Sequence, residues 1–270
     1  MMNDELKNNP IGIFDSGLGG LTVARAIRAR LPYEALVYFG DTARVPYGAK
    51  SQETIVRFTW EAIHFLRQHE VKCIVVACNT ASALALPALA GRVDVPLLGV
   101  IEPGARAAAQ ATRGNKVGVI GTTATITSDV YTRAIRALDP GITVYAQPCP
   151  LFVPLVEEGW DDRAATRLVV EEYLQPLRTA RVDTLVLGCT HYPLLAAPIQ
   201  AYMGADVQLV DSATTCAEEL AALLTQQGLL APAGVPDETF FVSDAAARFT
   251  ELGARFLGRR IQAIKVAGAP

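Results

Sequence analysis

Short apolar runs of β-branched residues alternate with amphipathic runs along most of this chain, and that alternation is its strongest constraint. The runs "IGIFDS", "ALVYFGD", "CIVVACNT" and "VPLLGVIEPG" each end in a small or polar residue. Between them, "TVARAIRARL" and "SQETIVRFTWEAIHFLRQHE" repeat apolar residues every three or four positions, as one face of a helix does. Ser51 and Thr54 stand where the longer helix should begin. Strands buried on both faces and joined by helices build parallel sheets, so the expected class is α/β. No uninterrupted apolar run approaches the ~18 residues of a membrane span.

The pattern then restarts. "KVGVIGTTATI" matches "PIGIFDSGLGG" in register, "TLVLGCTHYPLL" matches "CIVVACNTASAL", and "VQLVDSATTCAEELAALL" echoes "PLLGVIEPGARAAAQA". The spacing predicts a first α/β domain over 1–100 plus 208–270 and a second over 101–207. The stretch 208–270 is too short for a domain of this class and is expected to pack back on the first unit. Hydrophobic residues make up 51% of the chain, ample for such cores. With 24 Lys+Arg against 27 Asp+Glu the net charge is −3, and no basic stripe marks a nucleic-acid or membrane partner. The polar start "MMNDELKNNP" lacks the apolar segment of a secretory signal. Five cysteines without a C-x-x-C pair argue against a disulfide framework and against zinc. The expectation is a cytoplasmic protein.

Ligands of open parallel sheets collect at the carboxyl ends of the strands. Those tips carry Asp15–Ser16, Asp41, Cys78–Asn79–Thr80, Glu102, Thr122–Thr123 and Cys189–Thr190–His191. A cysteine just before a helix faces unpaired N–H groups and the positive end of the helix dipole, which should bring its pKa below the free value of about 8.5. Asn79 or Thr80 could cap the first of these helices, and Thr190 with Pro193 marks a second start. Two matched thiols suit a reaction that moves a proton on either face of one carbon. A thiolate removes it, the opposing thiol returns one, and the roles exchange for the reverse substrate. Packing is the competing explanation for any buried cysteine. It is the one taken for Cys73, Cys149 and Cys216, whose neighbours carry no such polar pattern.

The neighbours leave alternatives open. Asp15 could orient a proton on Cys78 or simply open an Asx turn at "GLGG", and His191 could serve Cys189 or cap a helix. His64 and His69 fall on the amphipathic run as surface or satisfied residues. "DSGLGG" also invites a nucleotide, with Asp41 where a ribose-binding acid would stand. Yet it lacks the Lys-Ser/Thr of a P-loop and carries Thr22 at the third glycine position. A backbone-lined pocket for a carboxylate fits equally well.

"IGIFDSGLGGLTV", "GDTARVPYG", "VACNTAS" and "LGCTHYPLL", with "GTTAT" and "CPLFVPLVEEG", together resemble the glutamate racemases of the cofactor-independent aspartate/glutamate racemase superfamily. The blocks keep the family's order over nearly the whole chain. The resemblance implies two flavodoxin-like parallel-sheet domains related by a pseudo-twofold axis, with the active site in the cleft between them. It implies interconversion of L- and D-glutamate for bacterial peptidoglycan, without pyridoxal phosphate or metal, in a homodimer. Carried over by motif, Cys78 would take the proton from D-glutamate and Cys189 from L-glutamate. Asp15 would assist Cys78, and His191 with Glu157 would assist Cys189. Substrate contacts would come from Asp15, Ser16, Pro46, Tyr47, Gly48, Asn79, Thr80, Thr122, Thr125, Thr190 and His191.

Spacing alone selects neither "VPYGAKS" nor Glu157. The residues carried over include no Arg or Lys, so helix-start N–H groups and Ser or Thr hydroxyls would hold the carboxylates of glutamate. Aspartate racemase, hydantoin racemase and a one-thiol decarboxylase are the alternatives within the superfamily. Outside it stands a cleft protein that holds a small anion without chemistry.

Overall fold

The structure, a computed structural model, describes residues 6–266. The first half of the polar start, on which the secretory-signal reading rests in part, lies outside the described residues.

Ten strands form two wholly parallel sheets among the described residues. The first has the order β10-β9-β2-β1-β3-β4. It is built from β1 (Ile11–Asp15), β2 (Leu36–Gly40), β3 (Cys73–Val76), β4 (Leu97–Gly99), β9 (Glu238–Val242) and β10 (Ala263–Lys265). The second has the order β6-β5-β7-β8, from β5 (Lys116–Gly121), β6 (Thr143–Pro148), β7 (Thr184–Gly188) and β8 (Gln208–Asp211). The order β2-β1-β3-β4 is therefore repeated as β6-β5-β7-β8, and the restart of the sequence pattern is a restart of topology. Strands β1, β2, β3 and β7 are buried at every residue, which is why they read as unbroken apolar runs.

The helices of the first unit are α1 (Leu21–Arg30), α2 (Gln52–Arg67), α3 (Asn79–Leu84) and α4 (Leu86–Leu89). The second unit carries α5 (Ile101–Ala111), α6 (Thr123–Thr127), α7 (Val130–Leu138), α8 (Phe152–Glu157), α9 (Ala164–Ala180) and α10 (Ala196–Met203). The chain closes with α11 (Ser212–Gln227) and α12 (Ala246–Leu257). Helix α2 starts as its sequence demands: the Ser51 side chain accepts from the Thr54 N–H, and Ile55, Thr59, Ala62, Ile63 and Leu66 bury one face. His64 is exposed at its far end, and the His69 ring stacks on Phe241 with centroids 4.8 Å apart.

Two helices exchange between the units. Helix α5 leaves the first sheet and packs on α7, β7 and β8, while α11 leaves the second sheet and packs on α1. One apolar cluster consequently runs through both units, from Ile11, Leu21 and Ile27 to Leu185, Leu187 and Leu220. The expected boundary at residue 207 needs one correction. Gln208–Asp211 pairs with β7, not with the first sheet, so the second sheet runs on to Asp211. The physical reason is ladder completion: β7 has a free edge, and β8 fills it as β4 fills the edge of β3.

Strand β9 pairs with β2, and β10 with β9. A buried ion pair holds the segment leading into them. Lys72, fully buried before β3, lies 2.5 Å from Glu34 Oε2 and donates to the Leu229 carbonyl at 2.9 Å and the Lys7 carbonyl at 2.7 Å. Glu34 in turn accepts from the Ala231 N–H at 2.8 Å. Removing one partner strands the other charge, so Lys72→Met should lower the unfolding free energy by about 3–5 kcal/mol. Urea denaturation measures this, and a loss below about 1 kcal/mol would refute the assignment.

Candidate active site

The carboxyl ends of β1, β3, β5 and β7 converge on one hollow. Asp15 closes β1 with no exposed surface, and its Oδ2 accepts from the Gly17 N–H at 2.9 Å, so the Asx turn is formed. The Tyr38 hydroxyl, from β2, donates to the Gly17 carbonyl at 2.7 Å. The glycines that follow admit the second unit. A Cβ on Gly19 would overlap the Thr190 hydroxyl and stand 2.5 Å from His191 Nδ1. Beside it, Thr22 Oγ1 donates to the Thr190 carbonyl at 3.0 Å and the Gly19 carbonyl at 2.9 Å. "GLGG" is thus a seat for a protein turn. Asp41, the would-be ribose acid, is buried and taken by Tyr47 Oη at 2.6 Å, Arg44 Nε at 2.6 Å and Ser243 Oγ at 3.0 Å.

Cys78 stands just beyond β3 as the residue preceding α3, 6% exposed, with its Sγ 3.5 Å from Ser16 Oγ. Its thiol departs from the expected direction. Burial, then the Asp15 carboxylate, push it up to about 12, while the Ser16 hydroxyl and the Ala81 N–H pull the other way. Six residues of helix are a weak dipole against that desolvation. Neither Asn79 nor Thr80 caps the helix. Asn79 accepts from the Tyr131 hydroxyl at 2.7 Å and donates to Ser212 Oγ at 3.5 Å, both outside the first sheet's helices. Thr80 joins Thr122 and Thr125 in a triangle of hydroxyls at 2.9, 3.1 and 3.0 Å.

On the other side, Cys189 follows β7, with Sγ 4.0 Å from His191 Nδ1. His191 precedes the 3-10 turn Tyr192–Leu195, which carries Pro193 in its first positions. Its Nε2 lies 3.1 Å from Glu157 Oε1 at the end of α8. Burial opposes an imidazolium there. The hydrogen bonds to Cys189 and Glu157 outweigh it and push His191 up to about 10. The hydrogen bond from His191 also holds Glu157 below the usual carboxylate range, against its burial. Asp15 is pushed up by burial, against His191 and the N–H groups of Gly17 and Gly20.

The hollow between these groups is a cavity of about 480 Å³. Of the residues singled out above, Ser16, Pro46, Tyr47, Gly48, Cys78, Asn79, Thr80, Thr122, Glu157, Cys189, Thr190 and His191 line it. Asp15 and Thr125, expected among the substrate contacts, are one layer behind the wall, committed to Gly17 and to the Thr80–Thr122 hydroxyls. Gly48 lies against Thr122, whose Cβ would be 2.9 Å from an added methyl, so the 46–48 turn touches the second unit. Gly17 of "DSGLGG" and the strand-tip Thr123 also line it, and Val45, Ala49, Pro150, Val153 and Pro154, which no local signal marked, complete the wall. No Lys or Arg lines the cavity. Cys73, Cys149 and Cys216 are buried among apolar neighbours, and burial pushes Cys73 and Cys216 up to about 12. Two other hollows, of about 520 and 740 Å³, contain neither cysteine nor histidine.

Residues 21–220 match the model of the Asp/Glu/Hydantoin racemase family. The chain belongs to that family. It is 51% identical to a glutamate racemase of Syntrophus aciditrophicus, over 95% of this chain and 96% of that protein. Among solved structures it resembles glutamate racemase RacE1 of Bacillus anthracis, with a TM-score of 0.94 and 42% identity over 97% and 99% of the two chains. A glutamate racemase of Francisella tularensis in complex with D-glutamate follows at a TM-score of 0.91 and 39% identity, over 97% and 98%.

For this member of the racemase family, no group of three or more His, Cys, Asp or Glu side chains among the described residues is arranged to hold a metal ion. No helix of the described residues is long and apolar enough to cross a membrane. The raised histidine has a thermodynamic signature. Its pKa of about 10 in the folded chain against 6.5 ordinarily means that protonation favours folding fully below about pH 6.5 and is lost as pH rises through 10. The stability advantage of the wild type over His191→Asn should therefore shrink between these pH values. Urea midpoints at both ends measure it, and an unchanged gap would show that His191 is not a buried cation.

Proposed function

We propose that this chain interconverts L- and D-glutamate by two-base proton transfer at the α-carbon, with Cys78 on one face and Cys189 on the other. One observation carries the reading. The two units repeat one strand order, and the equivalent strands β3 and β7 each deliver a cysteine to the same cavity. A single-thiol reaction, or an anion-binding cleft without chemistry, gives no reason for the second thiol. The glutamate specificity draws on the names of the relatives.

In this reading one sulfur is a thiolate and the other a thiol when substrate arrives. The thiolate removes the α-proton, the C–H electron pair stays on carbon, and the opposing S–H delivers its proton to the other face. The two sulfurs end with their protonation exchanged, ready for the reverse substrate. On the Cys78 side, two anions side by side are disfavoured, so Asp15 carries its own proton whenever Cys78 is the thiolate, separate from the one Cys78 exchanges with the α-carbon. On the Cys189 side, His191 supplies a positive partner held by Glu157. That imidazolium, the hydroxyls of Ser16, Thr80, Thr122 and Thr190, and N–H groups at the strand tips meet the two carboxylates without an arginine. Thr125 acts through Thr80 and Thr122, and the Pro46–Tyr47–Gly48 turn closes the site above Thr122. The same reading has the enzyme work in the cytoplasm as a homodimer, supplying D-glutamate for peptidoglycan.

In deuterium oxide with no added cofactor, both enantiomers of glutamate should lose their α-proton signal as the optical rotation decays. Cys78→Ala and Cys189→Ala should each slow racemisation by roughly 10²–10⁴-fold. Normal racemisation in either variant would sink the two-base mechanism. Faster turnover of aspartate or of a 2-substituted malonate than of glutamate would reassign the substrate.

A further inference from the structure

Helix α8 has six residues, and Glu157 is its last, with a side chain 30% exposed. The carbonyls of Pro154, Leu155 and Val156 accept from the N–H groups of Glu158, Trp160 and Gly159 just beyond the helix. The Val156 carbonyl takes a second partner from the other end of the chain. Arg255, in the last turn of α12, donates from Nη1 to the Val156 carbonyl at 3.0 Å and from Nη2 to Asp161 Oδ2 at 2.6 Å. The Val156 carbonyl belongs to the peptide that leads into Glu157, so holding it fixes where the Glu157 side chain begins. The guanidinium lies over Gly159, at φ +72°, where an added Cβ would be 3.4 Å from Nη1. Asp161 occupies the second nitrogen, which keeps the fork from turning toward Glu157. The next residue, Phe256, is fully buried and meets the His191 ring edge-on, centroids 5.3 Å apart.

We propose that Arg255 is a positioning residue for the Glu157–His191 pair, holding the end of α8 from the C-terminal helix of the other unit. The inference rests on the two-thiol reading above. Other groups face the pair. Cys189 and Asp15 approach His191, and Arg248 of α12 acts on Glu157 while its hydrogen bond goes to Glu158 at 3.4 Å. None of them holds the backbone of α8.

The experiment compares Arg255→Met, which keeps the stem and removes the fork, with Arg255→Lys, which keeps the charge. Each is made in the wild-type and the Glu157→Gln backgrounds. In the wild-type background Arg255→Met should lower kcat about 10-fold with KM within about two-fold, the cost of a misplaced partner. The basic limb of the pH–rate profile should move to lower pH, because a loosened Glu157 no longer supports the His191 proton. In the Glu157→Gln background the same change should cost less than about two-fold, since the group it positions has lost its charge. Arg255→Lys should fall between wild type and Arg255→Met, and it carries the same readouts if Arg255→Met does not fold. A ¹⁵N NMR titration of His191, assigned with His191→Asn, needs no substrate and should move down in folded Arg255→Met. Equal losses in both backgrounds, or an unmoved His191 titration, would overturn the proposal. Absence of glutamate racemisation in the wild type would instead overturn the function, and the titration would still decide the role of Arg255.

Discussion

The two sheets meet at their functional ends because Gly19 has no side chain. The Thr190–His191 turn of the second unit rests on its backbone, and Thr22 fastens that turn by its carbonyl. A methyl group at residue 19 would occupy the space of both side chains. Everything that faces the cavity follows from this approach: the separation of the two thiols, the burial of His191, and the reach of Gly48 to Thr122. Asn79 adds a second tie, since Tyr131 of α7 and Ser212 at the head of α11 both grip the residue next to Cys78. Cys78 is thereby placed from the second unit as much as from its own strand.

Equivalent topology does not give the two cysteines equivalent surroundings. Cys78 sits beside an anion and in low dielectric, so it holds its proton tightly. Cys189 sits beside an imidazolium that Glu157 keeps protonated. In the proposed two-base reaction the pair must differ by one proton at any instant, and the two sulfurs accordingly stand beside neighbours of opposite kind, Asp15 and His191. The glutamate of the proposed reaction brings two carboxylates and one ammonium, and the cavity offers His191 with a row of hydroxyls. A site with an arginine clamp would favour the neighbouring thiolates indiscriminately; dipoles and one placed cation leave the sulfurs distinguishable.

Much of the fold was legible because burial on both faces writes central parallel strands as unbroken β-branched runs. β1, β2, β3 and β7 are the cases in point. The boundary at 207 was not legible, because β8 could have completed either sheet and only the free edge of β7 decides. The cysteines could be read from a tip position, polar followers and an internal repeat. The acidity of Cys78 could not, since desolvation, its main cause, is a property of the whole cavity, and Asp15, the next, is more than sixty residues away in the chain. Asn79 has the chemistry of a cap and does something else, because a phenol from α7 claims its carbonyl. Asp41 and "GLGG" carry the spacing of a nucleotide site, yet one is a loop anchor and the other a seat for His191.

The return of the chain after α11 then acquires a reason beyond closing the first sheet. Had the polypeptide stopped at the end of α11, both thiols would already be in place, and so would Asp15, His191 and Glu157. What residues 228–266 add is β9 and β10 on the edge of β2, and α12 on α1. From there Arg255 and Phe256 reach across to Val156 and His191. The histidine side of the cavity is thus braced by a helix of the opposite unit, and motion between the units would act directly on the proton of His191.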